Sequence, residues 1–182
     1  MKTTILILIT LAFLFTGCGA RRNVEQNPAT YDEGVVINGV RWATRNVGGH
    51  GRFTRNPHEA GGRFNFIQAQ SVCPCPPGWR LPTSEELQSL ANAGSEWMRK
   101  NGVRGRFFGT APNRLFLPAA GRVIGEDIET WSSWGGVVGG YLSGTQHPSG
   151  GTWILYFGDT RAVVASGGRI TRYSVRCVAD VE

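Results

Sequence analysis

One stretch constrains this fold more than any other: CPCPPGWRLPTSEEL, Cys73 to Leu87. Two thiols and three prolines crowd the positions from Cys73 to Pro77. Proline lacks the backbone N–H that a helix needs, and its ring clashes with the preceding turn. A helix that arrives at Pro74 must therefore stop, and a new one must start beyond Pro77. Upstream, RFNFIQAQSVC (Arg63 to Cys73) places Phe66, Ala69 and Val72 or Cys73 at helical spacing, which predicts a short helix. Downstream, Thr83 and Glu86 form a capping box, each side chain reaching the other's backbone N–H. Leu87, Leu90 and Ala91 then supply an inner face, and Gly94 a C′ residue. SEWMRKNG, Ser95 to Gly102, is expected to add a further turn or two of helix.

Elsewhere the signal is extended. GVVINGVRWATRN (Gly34 to Asn46) alternates about Asn38-Gly39, a strong two-residue hairpin signal because a type I′ turn needs positive φ twice. Gly48 to Gly62 reads as a Gly- and Arg-rich loop. LFLPAAG, TWILYFG, RAVVAS and YSVRCV read as strands, with a long Gly/Ser-rich loop region from about Gly121 to Gly151 between the first two. The order of hairpin, two helices and several strands predicts an α+β domain.

The first residues belong to export rather than to the fold. Lys2 precedes an apolar run from Ile5 to Phe15, which suits a signal peptide and is short of the ~20 residues of a membrane span. LFTGC, Leu14 to Cys18, resembles the lipobox of bacterial lipoproteins, although Phe15 stands where leucine is usual. The division expected is a lipoprotein signal peptide over 1–17, a lipidated Cys18 with a flexible tether over 18–33, and one domain over 34–182. Acyl chains on Cys18 would anchor the protein to a membrane. Arg21 and Arg22 precede Glu25 after the lipid cysteine, which leans toward the periplasmic side of an outer membrane rather than the cell surface. Export also permits disulfides. Removing Cys18 leaves Cys73, Cys75 and Cys177, an odd number. Seventeen of nineteen basic residues are arginine and the net charge is +6. Outside the cytoplasm that charge argues for anionic lipid or acidic glycan rather than nucleic acid.

The segments VVINGVRWATRNVG, CPCPPGWRLPTSEEL, LFLPAAGR, WSSW, YLSGTQ, TWILYF and YSVRCV occur in this order over Gly34 to Val178. Together they resemble the Fibrobacter succinogenes major paralogous domain, common in secreted and lipid-anchored proteins of the Bacteroidetes group. The resemblance implies a C-type-lectin-like fold: an N-terminal β-hairpin, two short helices and a C-terminal antiparallel sheet with long loops. It also implies a disulfide from the end of the first helix to the final strand, Cys75 fitting the first position and Cys177 the second. Cys73, two residues away, is the alternative partner. In such a fold Trp42, Trp79 and Trp131 are core residues, and Arg80 and Arg176 structural ones.

The ligand-facing side of a lectin-like fold would draw on Trp134, Tyr141, His147, Arg161, Arg172 and Tyr173, because aromatic rings stack on sugars and Arg or His donates to hydroxyls and carboxylates. Trp153 belongs with them by type but sits in a strand that reads as buried. Glu126, Asp127 and Glu129 are acids in a loop, and the calcium triplets of sugar-binding C-type lectins are absent from the sequence. Cys-Pro-Cys lacks the gap of a zinc pair. The histidines His50, His58 and His147 are scattered, and no nucleophile elbow or metalloprotease motif occurs. The expectation is a non-catalytic envelope protein without metal or cofactor, binding a glycan or an envelope or host protein through its C-terminal loops. The alternatives are an assembly subunit of a surface complex and an enzyme distantly related to formylglycine-generating enzymes.

Overall fold

The computed structural model describes residues 27–124 and 135–179. The described residues are mostly β-sheet with two short helices, an α+β architecture. Strand β1 (Val35–Ile37) turns at Asn38-Gly39 into β2 (Val40–Trp42), and both turn residues have positive φ. Strands β3 (Val47–Gly49) and β4 (Arg52–Phe53) form a small ribbon inside the segment expected to be loop. Helix α1 is shorter than expected, Phe66–Ser71, because Asn65 and Gln68 form a capping box at its start and Val72 is already extended at its end. Phe66 and Ala69 are buried, whereas Val72 is 59% exposed and Cys73 is exposed too. Helix α2 (Ser84–Asn92) begins at the Thr83 box and ends before Gly94, which has φ +79°.

The stretch after α2 corrects the helical expectation. Ser95–Lys100 is strand β5, and it turns at Asn101-Gly102 into β6 (Val103–Phe108) and then β7 (Leu115–Pro118). Asn101 and Gly102 both have positive φ, so this hairpin uses the same dipeptide as the first. Strands β8 (Gly139–Gln146), β9 (Thr152–Phe157) and β10 (Ala162–Gly167) make an antiparallel sheet in the order β10-β9-β8. Strand β8 lies inside the segment expected to be a long loop. Its glycines answer a packing need: a Cβ at Gly139 would stand 2.1 Å from the Phe157 ring. The final strand β11 (Val178–Ala179) pairs with β2, so the two ends of the domain share a sheet.

Two cores flank the β8–β9 pair. Alternation sends Tyr141, Leu155 and Phe157 to one side, with Trp42, Leu87, Leu90 and Phe108. It sends Leu142 and Ile154 to the other, with Phe64, Phe66, Tyr173 and the Cys75–Cys177 disulfide. That bridge has a Cα–Cα distance of 6.0 Å and staples the chain just past α1 to the segment before β11. Trp42 is buried as expected, and Trp79 packs edge-on against Phe53. Arg80 makes a two-point ion pair with Glu86, at 2.8 and 2.9 Å, tying the post-proline turn to the start of α2. Cys18, Trp131 and the acids Glu126, Asp127 and Glu129 lie outside the described residues.

Candidate functional site

The β10-β9-β8 sheet carries two concavities on opposite faces, and the strand period of two assigns the aromatic residues between them. Trp153 shares the α2 face with Leu155, whereas Tyr156 points the other way with Ile154.

On the α2 face a groove of about 790 Å³ runs between the helix and the ends of β8 and β9. Its helical wall is the polar row Glu85, Gln88, Ser89 and Asn92, the outward face of a helix whose inward face is Leu87 and Leu90. Its sheet wall is Thr145, Gln146 and the half-buried Trp153. Asn38 closes one end, donating through Nδ2 to the Ser89 carbonyl at 3.1 Å and to its Oγ at 3.2 Å. Gln88 Nε2 donates to Asn92 Oδ1 at 3.0 Å. These bonds fix the amides and leave Gln88 Oε1, Asn92 Nδ2 and Asn38 Oδ1 without a partner among the described residues. The Glu85 carboxyl is held below its usual range by first-turn backbone N–H and by the Ser84 hydroxyl, so the groove carries one ionised acid. The His147 ring meets Trp153 edge-on, with centroids 4.3 Å apart. Ser149 N–H donates to His147 Nδ1 at 3.1 Å, which leaves Nε2 as the protonated nitrogen of the neutral ring. The arrangement is an aromatic ring beside fixed amide and hydroxyl groups, suited to an uncharged polyol.

On the opposite face a hollow of about 370 Å³ is lined by Arg122, Tyr156, Asp159, Arg161 and Val163 over a glycine floor that includes Gly139 and Gly140. The Tyr156 hydroxyl lies 2.8 Å from that of Tyr173, which is fully buried beneath it. Burial first, and the Tyr173 contact second, push the Tyr156 hydroxyl well above its ordinary pKa, with Arg122 opposing both.

The residues expected to face a ligand do not converge. Tyr141 is 1% exposed and belongs to the core: its hydroxyl donates to the Pro118 carbonyl and accepts from Asn46 Nδ2. Tyr173 is likewise interior, reaching the hollow only through Tyr156. These two correct the sequence expectation, because the Gly-rich segment around Tyr141 is strand β8, flanked by β9 and by a bridge from Tyr141 to Ser174, and Tyr173 pairs with Phe64 beside it. His147 stands beside the groove, Arg161 lines the hollow, and Arg172 pairs through its backbone with Val123. Trp134 lies outside the described residues. Sequence reading missed the polar row of α2, which looks like any solvated helix face, and it missed Arg122 and Tyr156. Among the described residues no cluster of three His, Cys, Asp or Glu side chains stands ready for a metal, and no helix is long and apolar enough to cross a membrane.

No known family model, curated protein or solved structure matches the chain.

Proposed function

We propose that this chain is a lipid-anchored, non-catalytic protein of the outer membrane whose C-type-lectin-like domain binds a glycan. The groove between α2 and the β8–β9 hairpin is its binding site. The observation that carries this reading is the half-buried Trp153 set beside the open amide groups of Gln88, Asn92 and Asn38. A sugar offers an apolar ring face and a rim of hydroxyls, and this groove offers the complement of both. The histidines stand apart from one another, His50 against Phe64, His58 with Asn101 and His147 with Ser149 and Trp153, which favours binding over turnover. The resemblance to the Fibrobacter succinogenes major paralogous domain supports the lectin-like assignment, and the lipobox-like LFTGC supports the anchor.

The test is a titration of the full-length chain in non-ionic detergent with neutral oligosaccharides, followed by tryptophan fluorescence. Saturable binding that is lost in Trp153→Ala and kept in Tyr141→Phe is the expected result. Binding that survives Trp153→Ala would move the site elsewhere.

A second reading, an assembly subunit, rests on β10. Its six residues, AVVASG, carry no charge, and among the described residues they pair on one side only, with β9. An uncharged edge is a template for a strand from another chain. Retention of one envelope protein by a chain silent toward glycans would favour it.

A further inference from the structure

The second concavity is chemically unlike the first. Arg122 and Arg161 face it, and Asp159 is the acid among its lining residues. That carboxylate acts on Arg106, whose Nη1 donates to the Gly158 carbonyl behind the wall. Arg172 adds a further cation nearby: it is joined to Val123 by two backbone hydrogen bonds of 2.9 Å, and its buried Nε has no partner among the described residues. Positive charge is therefore in excess around a recess floored by Gly140, where a Cβ would stand 2.9 Å from the Tyr173 ring. The remaining wall is apolar, from Val137, Val138 and Val163. Guanidinium groups recognise oxyanions through paired N–H donors. Apolar walls demand that the anion be carried on an organic body, and the volume suits one about the size of a single sugar.

We infer that the hollow on the Tyr156 face of the β10-β9-β8 sheet is a second binding site, taking the oxyanion of a small organic acid through Arg122 and Arg161. The Tyr156 hydroxyl, partnered by Tyr173, lies at its base and offers a hydrogen bond to the ligand's polar edge. This site shares no lining residue with the groove, so it stands whether or not the groove binds a glycan.

The oxyanion could be the carboxylate of an acidic sugar or the phosphate of a lipid headgroup, and the two are separated by probe. The full-length chain in non-ionic detergent is titrated calorimetrically with glucuronate, with glycerol 3-phosphate and with inorganic phosphate, at constant ionic strength. Saturable binding of one or both organic probes is expected, and the tighter one identifies the source. Arg122→Gln with Arg161→Gln should weaken it about tenfold or more. Arg161→Gln alone, at an exposed position, should weaken it in the same direction if the double variant misfolds. Arg99→Gln with Arg104→Gln removes the same charge from the β5–β6 ladder, where the two residues face each other, and should leave binding intact. Trp153→Ala should leave it intact as well. Equal weakening in both double variants would reduce the effect to bulk charge and overturn the site. So would inorganic phosphate binding as tightly as the organic probes, or no saturable binding by any of the three.

Discussion

The guanidinium of Arg176 donates through Nε to Asn46 Oδ1 at 2.8 Å, across 130 positions of sequence and out of contact with water. Its other nitrogens donate to the carbonyls of Ala43 at 3.1 Å and Phe116 at 3.2 Å. One buried side chain from the segment before β11 thus satisfies acceptors in the segment after β2 and in β7. A buried guanidinium is tolerated only when its donors are met, and the acceptors depend on it in turn.

Removing that side chain should be among the costliest substitutions in the domain. Arg176→Ala strands three buried acceptors and leaves a void, and the expected loss is about 3–5 kcal/mol. Urea denaturation of the purified protein measures it. Arg176→Lys, which keeps the charge but not the fork, should recover only part.

The Cys75–Cys177 bridge closes a loop with a sequence separation of 102. Cys177→Ala should lower stability by about 2–5 kcal/mol. Cys73→Ala, at an exposed free thiol, should change it by less than about 0.5 kcal/mol. Peptide mapping without reduction should recover the peptides of Cys75 and Cys177 joined and Cys73 alkylatable.

Trp153 and Tyr141 should separate binding from folding. Trp153→Ala is expected to abolish saturable oligosaccharide binding with a stability cost of about 1–2 kcal/mol, since the ring is only half buried. Tyr141→Phe should keep binding but lose about 1 kcal/mol, because Asn46 Nδ2 and the Pro118 carbonyl each lose a partner. Paired denaturation and fluorescence titrations check both.

Alkaline pH should unfold the protein through its tyrosines. Burial raises the hydroxyl pKa of both Tyr141 and Tyr156 in the folded state. Above pH ~10 the unfolded chain releases those protons while the folded chain holds them. The stability they contribute is therefore complete below about pH 10 and declines as pH rises toward the raised folded values. The slope from Tyr141 is roughly 1.4 kcal/mol per pH unit, and Tyr141→Phe should make the decline shallower. Phenolate absorbance followed against far-ultraviolet circular dichroism should show these two groups ionising together with unfolding.

The legible parts of the fold were those with a local cause. Pro74 and its neighbours stop α1, Thr83 and Glu86 start α2, and Asn38-Gly39 turns the first hairpin; each acts within a few residues. Asn101-Gly102 carried the same hairpin signal but lay beside a continuous helical pattern, so Ser95–Lys100 was read with the wrong period. Strand β8 was hidden for the opposite reason. Its glycines resemble a loop until Phe157 is placed against Gly139 and the Tyr173 ring against Gly140.

By itself, then, the sequence determined the helix boundaries at the proline run, the first hairpin and strands β7, β9 and β10, because backbone preferences and caps depend on near neighbours. Only the tertiary structure decided that Cys75 rather than Cys73 meets Cys177, that Tyr141 is core, and that Trp153 and Tyr156 open onto opposite faces of one sheet. Those outcomes depend on which residues the chain brings together across roughly a hundred positions. Burial and pairing at that range are properties of the assembled packing and leave no mark on the local sequence.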